Sequence, residues 1–283
     1  MFGWLFKEKL DKLLLWIALA LFVIMLVVNG LAGSTTILGG VQTGEVSGIY
    51  ANLFAPAGFI FSIWGVIYLL LAVFMLRAFK VIEPKKPQLK NKEMNQLVVL
   101  FSLTSILNAV WLLLWQYQIL SLSVVVMIGL LITLKKIVAL LHGQKMNLGE
   151  YAVVRIPFSI YLGWISVATI ANVTAWLVSI EWDGLGLADT TWTVVVLIVG
   201  ALIAVTKGIL KRDPLYVAVF IWAYFGILYK HMAESGFGGE YEGVVVTLAI
   251  LLPVLIMTAV QLIREHEMTS RLAGLIKKNV QPN

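Results

Sequence analysis

The stretch "YLGWISVATIANVTAW", from Tyr161 to Trp176, places two tryptophans, a tyrosine and an asparagine inside a long apolar run. At about 100° per residue, a helix brings Tyr161, Trp164, Ala168, Asn172 and Trp176 onto one face, because their spacings are three or four positions. An apolar run with one polar and aromatic face predicts a membrane-spanning helix that turns this face away from lipid.

The rest of the chain has the composition of an integral membrane protein. Of 283 residues, 60% are hydrophobic and only 13% are charged, which excludes a soluble globular domain. A spanning helix needs about 20 mostly apolar residues. Eight such runs lie near residues 13–33, 57–79, 96–116, 119–140, 153–178, 191–209, 214–231 and 243–263. The fold class predicted is all-α, a polytopic membrane helical bundle with about eight transmembrane helices and no separate soluble domain.

Basic residues predict the orientation of these spans. In an alternating eight-span arrangement, every lysine and arginine except Lys230 lies on one side, whereas the loops of the other side carry acidic residues. Because basic residues in short loops stay in the cytoplasm, we expect a cell membrane protein with both termini cytoplasmic. The basic residues are spread over loops that flank the membrane, so they indicate contact with membrane lipid and no nucleic-acid partner.

Two further spans repeat the pattern of the opening stretch. In the third span, Asn108, Trp111 and Trp115 follow the same three-then-four spacing, and in the second span Trp64 and Tyr68 lie one turn apart. With alternating directions, these faces and that of the fifth span meet at one depth in the outer half of the membrane. We therefore expect an aromatic pocket that opens outward.

The connection over residues 33–56 is expected to cover this pocket. It is the longest external loop and is rich in Gly, Ser and Thr, which favours a flexible lid over another span. Pro56 lies at its end, and Asn108 and Asn172 are expected deeper in the pocket.

Structural roles are the alternative for the same residues. An asparagine within a membrane often hydrogen-bonds a neighbouring helix, where it contributes roughly 0.6 to 2 kcal/mol, and this interpretation is favoured for Asn108 taken singly. Tryptophans near span ends usually belong to the interfacial belt. The belt is the interpretation given to Trp4, Trp16, Trp182 and Trp192. Trp64 and Trp164 fit it less well, because they lie nearer the middle of the membrane.

Three motifs resemble a known family. The fifth span is similar to the "PYxxWxxxAxxxN" signature of the tryptophan-rich sensory proteins, the bacterial relatives of the mitochondrial translocator or peripheral benzodiazepine receptor. The third span is similar to the family's "LNxxW", and the second to its "P…WxxxY". The ligand-binding residues that this resemblance implies are Pro56, Trp64, Tyr68, Asn108, Trp111, Trp115, Tyr161, Trp164, Ala168 and Asn172.

This sequence departs from the family pattern at several positions. Gly58 stands where the family has an aromatic residue, and the proline expected four positions before Trp164 is displaced to Pro157. The family has five helices, whereas this chain continues with three more. The resemblance therefore implies a five-helix core over residues 10–180, three additional spans over 190–265 and a cytoplasmic tail over 266–283.

The resemblance implies a binding or sensory function. The expected ligand is small, hydrophobic and flat, such as a tetrapyrrole (porphyrin or haem) or a sterol-like molecule, and no cofactor is required. A homo-oligomer is left open. Transport of a small hydrophobic molecule is the alternative, although no acid in the middle of a span and no convincing internal repeat favours it.

Residues typical of enzymes are missing from the predicted spans. They contain no paired carboxylates and no HExxH, the chain has no cysteine, and His142, His231 and His266 lie in or beside loops. We expect no enzymatic activity, with the porphyrin degradation proposed for some family members left open. Arg155 is expected to reach lipid phosphate, or to bond backbone carbonyls left free near Pro157.

Overall fold

The computed structural model describes the backbone of residues 2–280 and the side chains of residues 11–265. Within this part of the chain it contains no strand, and eight helices are long and apolar enough to cross a membrane, which confirms the predicted fold class. The helices are α1 (Phe2–Ser34), α2 (Ile63–Ala78), α3 (Asn91–Gln116), α4 (Leu120–Leu141), α5 (Ile156–Ser179), α6 (Asp189–Lys211), α7 (Pro214–Met232) and α8 (Glu242–Val280).

Short helical segments lie between the long helices. A helix over Thr43–Ile49 and a 3-10 turn over Gly58–Ser62 separate α1 from α2. A single helical turn, Leu148–Glu150, and a π-helical turn, Tyr151–Arg155, lead without a break into α5. A 3-10 turn, Gly184–Gly186, precedes α6. The side chains of the predicted tail, residues 266–283, and of Trp4 lie outside the described residues.

The helices alternate in direction and have two distinct ends. The loop end is where α1, α3, α5 and α7 finish, and it carries residues 35–62; the basic end is opposite. Helix α3 packs between α1 and α4, and α5 contacts α2, α4 and α7. Helix α8 packs on α6 and α7. The close approach of α5 and α7 requires Gly163, because a Cβ there would come within 2.9 Å of the Cβ of Val219.

Two buried ion pairs tie the basic end together. Arg155 Nη1 donates to the Val138 carbonyl at 2.9 Å, and its Nη2 lies 3.3 Å from Asp213 Oδ2. The same carboxylate accepts from Ser159 Oγ at 2.6 Å and from the Tyr216 N–H at 3.1 Å. Arg155 is only 4% exposed, so the expected contact with lipid phosphate is not made. The carbonyl bond was expected near Pro157 but is made on α4, because the guanidinium points across to that helix.

The second pair joins Arg77 at the end of α2 to Glu150, with 3.4 Å between Nη2 and Oε1. The Glu150 carboxylate also accepts from the backbone N–H groups of Gln88 and Leu89, at 2.8 and 3.0 Å. These bonds hold the loop between α2 and α3 against the turn that precedes α5. A buried charge with this many partners is tolerated where an unpaired one is not.

Candidate functional site

A cavity of about 720 Å³ opens at the loop end of the bundle. Its walls come from α1, α2, α3, the loop between α1 and α2, and the end of α7. This loop-end cavity has the size of ordinary small-molecule sites, which range over about 300 to 1,000 Å³. It is also the place where the sequence predicted a pocket.

Trp64 is the centre of the aromatic wall. Its ring stacks on Tyr68 and Trp111, with ring centroids 5.5 and 6.0 Å apart. Tyr161 and Trp164 meet it edge-on from α5, at 6.0 and 6.1 Å. Trp64 and Tyr68 are half-buried, whereas Tyr161 and Trp164 are buried. The aromatic wall is therefore formed by rings from α2 and α3 that line the cavity, and two rings from α5 pack edge-on against Trp64.

A chain of polar side chains crosses four helices at the base of this wall. The Tyr68 hydroxyl donates to Asn29 Oδ1, and Asn29 Nδ2 donates to Asn108 Oδ1 at 2.8 Å. Asn108 Nδ2 in turn donates to the Tyr161 hydroxyl at 3.0 Å. The chain thus runs from α2 through α1 and α3 to α5. Asn29 and Tyr68 line the cavity, so its floor is polar.

A second amide lies between α3, α4 and α5. Trp111 Nε1 donates to Asn172 Oδ1 at 2.8 Å, and Asn172 Nδ2 donates to Ser123 Oγ at 2.9 Å. Asn172 is 2% exposed. Asn172 therefore orients the indole of Trp111 from outside the cavity, because both of its amide atoms are hydrogen-bonded to neighbouring helices.

The structure brings the predicted site residues together in one region but gives them different positions. Pro56, Trp64, Tyr68 and Trp111 line the loop-end cavity. The other six, Asn108, Trp115, Tyr161, Trp164, Ala168 and Asn172, do not line it. Asn108 and Asn172 bond neighbouring helices, which is the structural alternative raised for Asn108.

Asn29 and Lys230 are among the cavity residues that the sequence reasoning missed. Asn29 lines the floor, and Lys230 reaches the cavity from α7, as does Tyr229. Two signals were available: Asn29 is an amide within a predicted span, and Lys230 is the one basic residue on the acidic side. His231, expected in or beside a loop, is fully buried beside them.

The predicted lid over residues 33–56 is fastened to the end of α3. Gln116 Nε2 donates to the carbonyls of Val41 and Leu38, at 2.8 and 3.2 Å. Trp115 Nε1 donates to the Thr43 carbonyl at 3.3 Å. Trp115, predicted as a ligand contact, therefore holds the cover of the cavity.

Helix α7 braces the other side of the same loop. The Ala57 N–H donates to the Gly226 carbonyl at 3.1 Å, and Trp222 Nε1 donates to the Ile60 carbonyl at 3.0 Å. His231 Nε2 lies 2.9 Å from the Leu53 carbonyl, and since a carbonyl only accepts, this nitrogen carries the proton. Three backbone groups of the loop are thus held by one helix.

Below the polar floor, four phenylalanines fill the bundle. Phe22, Phe74, Phe101 and Phe158 come from α1, α2, α3 and α5, and each is at most 3% exposed. Their ring centroids lie 4.8 to 6.4 Å apart, mostly edge to face. This phenylalanine layer separates the loop-end cavity from the basic end.

A model of the TSPO-like protein family matches residues 15–262. The chain belongs to this family. The predicted relationship is therefore confirmed, and the match extends beyond residues 10–180 into the three C-terminal helices. No curated protein and no solved structure matches the chain. TSPO-like proteins are generally binding or sensory proteins and not enzymes.

The side chains that line the loop-end cavity define what it can contact in this TSPO-like protein. Among the residues that the structure describes, no three His, Cys, Asp or Glu side chains form a group that would hold a metal ion. The cavity is lined by aromatic rings, by the amides of Asn29 and Gln42, by the phenols of Tyr68 and Tyr229, and by Lys230. These groups suit a mainly apolar ligand with a polar edge.

Proposed function

We propose that this TSPO-like protein binds a small, flat, hydrophobic molecule, such as a tetrapyrrole or a sterol-like compound, in the loop-end cavity. The observation that carries the proposal is the stacked series of Trp64, Tyr68 and Trp111 on one wall, above a floor that contains Asn29. Aromatic faces favour a planar ligand, because offset stacking adds about 0.5 to 1.5 kcal/mol per ring pair to the burial of apolar area.

Lys230 favours a ligand that also carries a negative charge. Its Nζ lies 5.1 Å from the centre of the Phe237 ring, and it makes no ion pair with a described side chain. An ammonium group at the rim of an apolar cavity favours a ligand with a carboxylate at its edge. A tetrapyrrole with acidic side chains meets both requirements, whereas a neutral sterol meets only the first.

The phenylalanine layer favours binding over transport. A transported molecule has to pass through the bundle, and four interlocked rings fill the path below Asn29 and Tyr68. With the orientation inferred from the basic residues, the cavity faces the outside of a cell membrane and both termini are cytoplasmic. The protein would then act as a receptor for a ligand that arrives from outside.

The test is a titration of the purified protein with protoporphyrin IX, followed by the porphyrin's own absorbance so that removal of a tryptophan does not alter the signal. The variants are Trp64→Leu and, as a matched control, Trp182→Leu, which lies between α5 and α6 with its ring centroid 5.1 Å from that of Trp192 and does not line the cavity. We expect saturable binding that Trp64→Leu weakens about tenfold and Trp182→Leu leaves unchanged.

Lys230→Gln separates the two ligand classes. It should weaken binding of protoporphyrin IX but not of its dimethyl ester, which lacks the carboxylates. Linear, unsaturable uptake that is equal in all the folded variants would contradict the proposal and move transport of another apolar molecule to first place.

A further inference from the structure

A second cleft, of about 1270 Å³, lies at the basic end between α1, α2, α3 and α4. It is separated from the loop-end cavity by the phenylalanine layer and shares no residue with it. This basic-end cleft begins where the spans begin: Asp11 opens the first span, Ala78 ends the second and Asn91 opens the third. It therefore lies at the depth where lipid headgroups meet the protein.

Charge in the basic-end cleft is mainly positive. Lys80, Lys92 and Lys136 line it from three different elements, and none of them makes an ion pair with a described side chain. The acidic residue in the lining is Asp11, whose carboxylate accepts from Asn95 Nδ2 at 2.8 Å. Several cations converging on one cleft favour an anionic occupant.

Arg77 adds a donor that the fold leaves unused. It lines the cleft, is 5% exposed, and its Nε makes no hydrogen bond with the described residues. Its contact with Glu150 is long, at 3.4 Å, because that carboxylate already accepts from two backbone N–H groups. A buried guanidinium with an unused donor costs free energy unless an acceptor reaches it, and phosphate oxygens match its geometry.

The outer wall of the cleft is apolar. Trp16 is 62% exposed and meets Phe79 edge-on at 5.2 Å, and Val99 on α3 is 51% exposed. Both residues lie farther along their helices than the charged groups, toward the middle of the membrane. A molecule that fills the whole cleft therefore has an anionic head and a hydrocarbon chain.

We propose that the basic-end cleft is a binding site for an anionic phospholipid. Its phosphate lies between Arg77, Lys80 and Lys92, and one acyl chain runs along Trp16. The site is independent of the proposed ligand in the loop-end cavity, so either site can exist without the other.

The experiment is native mass spectrometry of the full-length protein released from nanodiscs that contain equal amounts of phosphatidylglycerol and phosphatidylcholine. The test variant is the double substitution Lys80→Gln with Lys92→Gln, which removes two exposed charges and leaves the Arg77 and Glu150 pair intact. The matched control is Lys85→Gln with Lys86→Gln, two exposed lysines of the loop between α2 and α3 that do not line the cleft.

We expect the wild-type and control proteins to retain one phosphatidylglycerol in preference to phosphatidylcholine. The Lys80 and Lys92 variant should retain it about tenfold or more less, because each basic group near a membrane surface contributes about 1 kcal/mol toward an anionic lipid. Equal retention by both double variants would overturn the proposal, since surface charge alone would then explain the preference.

A competition experiment separates a lipid from a free phosphate. Glycerol phosphate in millimolar excess should not displace the retained phosphatidylglycerol, because it lacks the chain that packs on Trp16. Displacement at millimolar concentration would overturn the lipid assignment in favour of a soluble phosphate compound. The variant Trp16→Ser, exposed and remote from the ion pairs, should lose the lipid while inorganic phosphate has no effect on any of the proteins.

Discussion

Asn29 joins the wall and the floor of the loop-end cavity through its two amide atoms. Its oxygen accepts from the Tyr68 hydroxyl, and its nitrogen donates to Asn108 and to the Met25 carbonyl, both at 2.8 Å. In hydrocarbon each of these groups would be costly without a partner. One residue on α1 therefore satisfies groups on two other helices while it faces the cavity.

Asn29→Leu is expected to lower both stability and affinity. The substitution leaves the Tyr68 hydroxyl and Asn108 Oδ1 without that partner, and an unsatisfied buried group costs about 1 to 3 kcal/mol. Thermal unfolding in detergent and the protoporphyrin IX titration measure the two effects. The control is Gln261→Leu, which removes an exposed amide on α8 that donates to Glu265 and lies away from the cavity. An unchanged unfolding temperature for Asn29→Leu would contradict the role of this chain of hydrogen bonds.

Asn172→Leu is expected to lower stability more than ligand affinity, whereas Trp64→Leu is expected to lower affinity more than stability. It removes the partners of Trp111 Nε1 and Ser123, so we expect a loss of about 1 to 3 kcal/mol in unfolding free energy. Affinity should fall less than in Trp64→Leu, because Asn172 does not line the cavity and the Trp111 ring stays packed. The same two measurements compare the variants. A large loss of affinity at unchanged stability would place Asn172 in contact with ligand.

Helical spacing predicted which residues are neighbours but not which of them face ligand. The faces that carry Trp64, Trp111 and Tyr161 do converge, as three-and-four spacing requires. A polar face, however, has the same period whether it meets a cavity or another helix. Asn172 turned out to meet Ser123 and Trp111 for this reason, and only the packed structure distinguishes the two cases.

At the scale of elements, α7 positions the loop that forms part of the cavity wall. It holds the loop at Leu53, Ala57 and Ile60 through one imidazole, one carbonyl and one indole. Gly226 lets the helix come this near, because a Cβ at that position would overlap the Cγ1 and Cδ1 atoms of Ile60. Helix α7 therefore holds the turn over Gly58–Ser62 at Ile60 and the residue before the turn, Ala57.

Gly226→Val is expected to displace that turn and to weaken ligand binding. Overpacking of this kind costs typically about 1 to 3 kcal/mol, because the turn or the helix has to move. The protoporphyrin IX titration and thermal unfolding both report the change. Gly243→Val at the start of α8 is the matched control, because a Cβ there meets nothing within 4 Å. Equal behaviour of the two valine variants would show that the contact of α7 with the turn does not shape the site.

The eight spans could be predicted from the sequence, whereas the hydrogen bonds from α7 to the loop between α1 and α2 could not. An apolar run of about 20 residues is a property of each segment by itself. The bonds from Trp222 and His231 end on backbone carbonyls, which exist at every position and leave no trace in the sequence. The π-helical turn at Tyr151–Arg155 was missed as well; it ends at Arg155, whose carboxylate partner, Asp213, is 58 positions away in the sequence.

At the scale of the whole molecule, one of the three C-terminal helices, α7, lines the loop-end cavity, and the other two pack against it. Helix α7 packs on α5 and contributes Tyr229 and Lys230 to the cavity, while α8 packs on α6 and α7. The family match reaches residue 262, within the last of these three helices. A cavity built in this way depends on both parts of the chain.

A chain divided within the loop after α5 tests this dependence. Residues 1–186 expressed alone should not bind protoporphyrin IX saturably, because one wall of the cavity is missing. Coexpression with residues 187–283 should restore binding, since α5 and α7 present complementary surfaces around Gly163. Full affinity in the 1–186 fragment alone would contradict the role of α7. Restoration by the second fragment excludes simple misfolding of the first.

The contact between His231 and Leu53 also orders events during synthesis. The two residues are 178 positions apart, so at about 5 to 20 residues per second the loop is made some 10 to 35 s before the helix that supports it. During that interval the nascent protein has no finished pocket. If the proposed ligand binds in this cavity, it would stabilise only chains that have been translated past the seventh span, and its supply would act as a late checkpoint on assembly in the membrane.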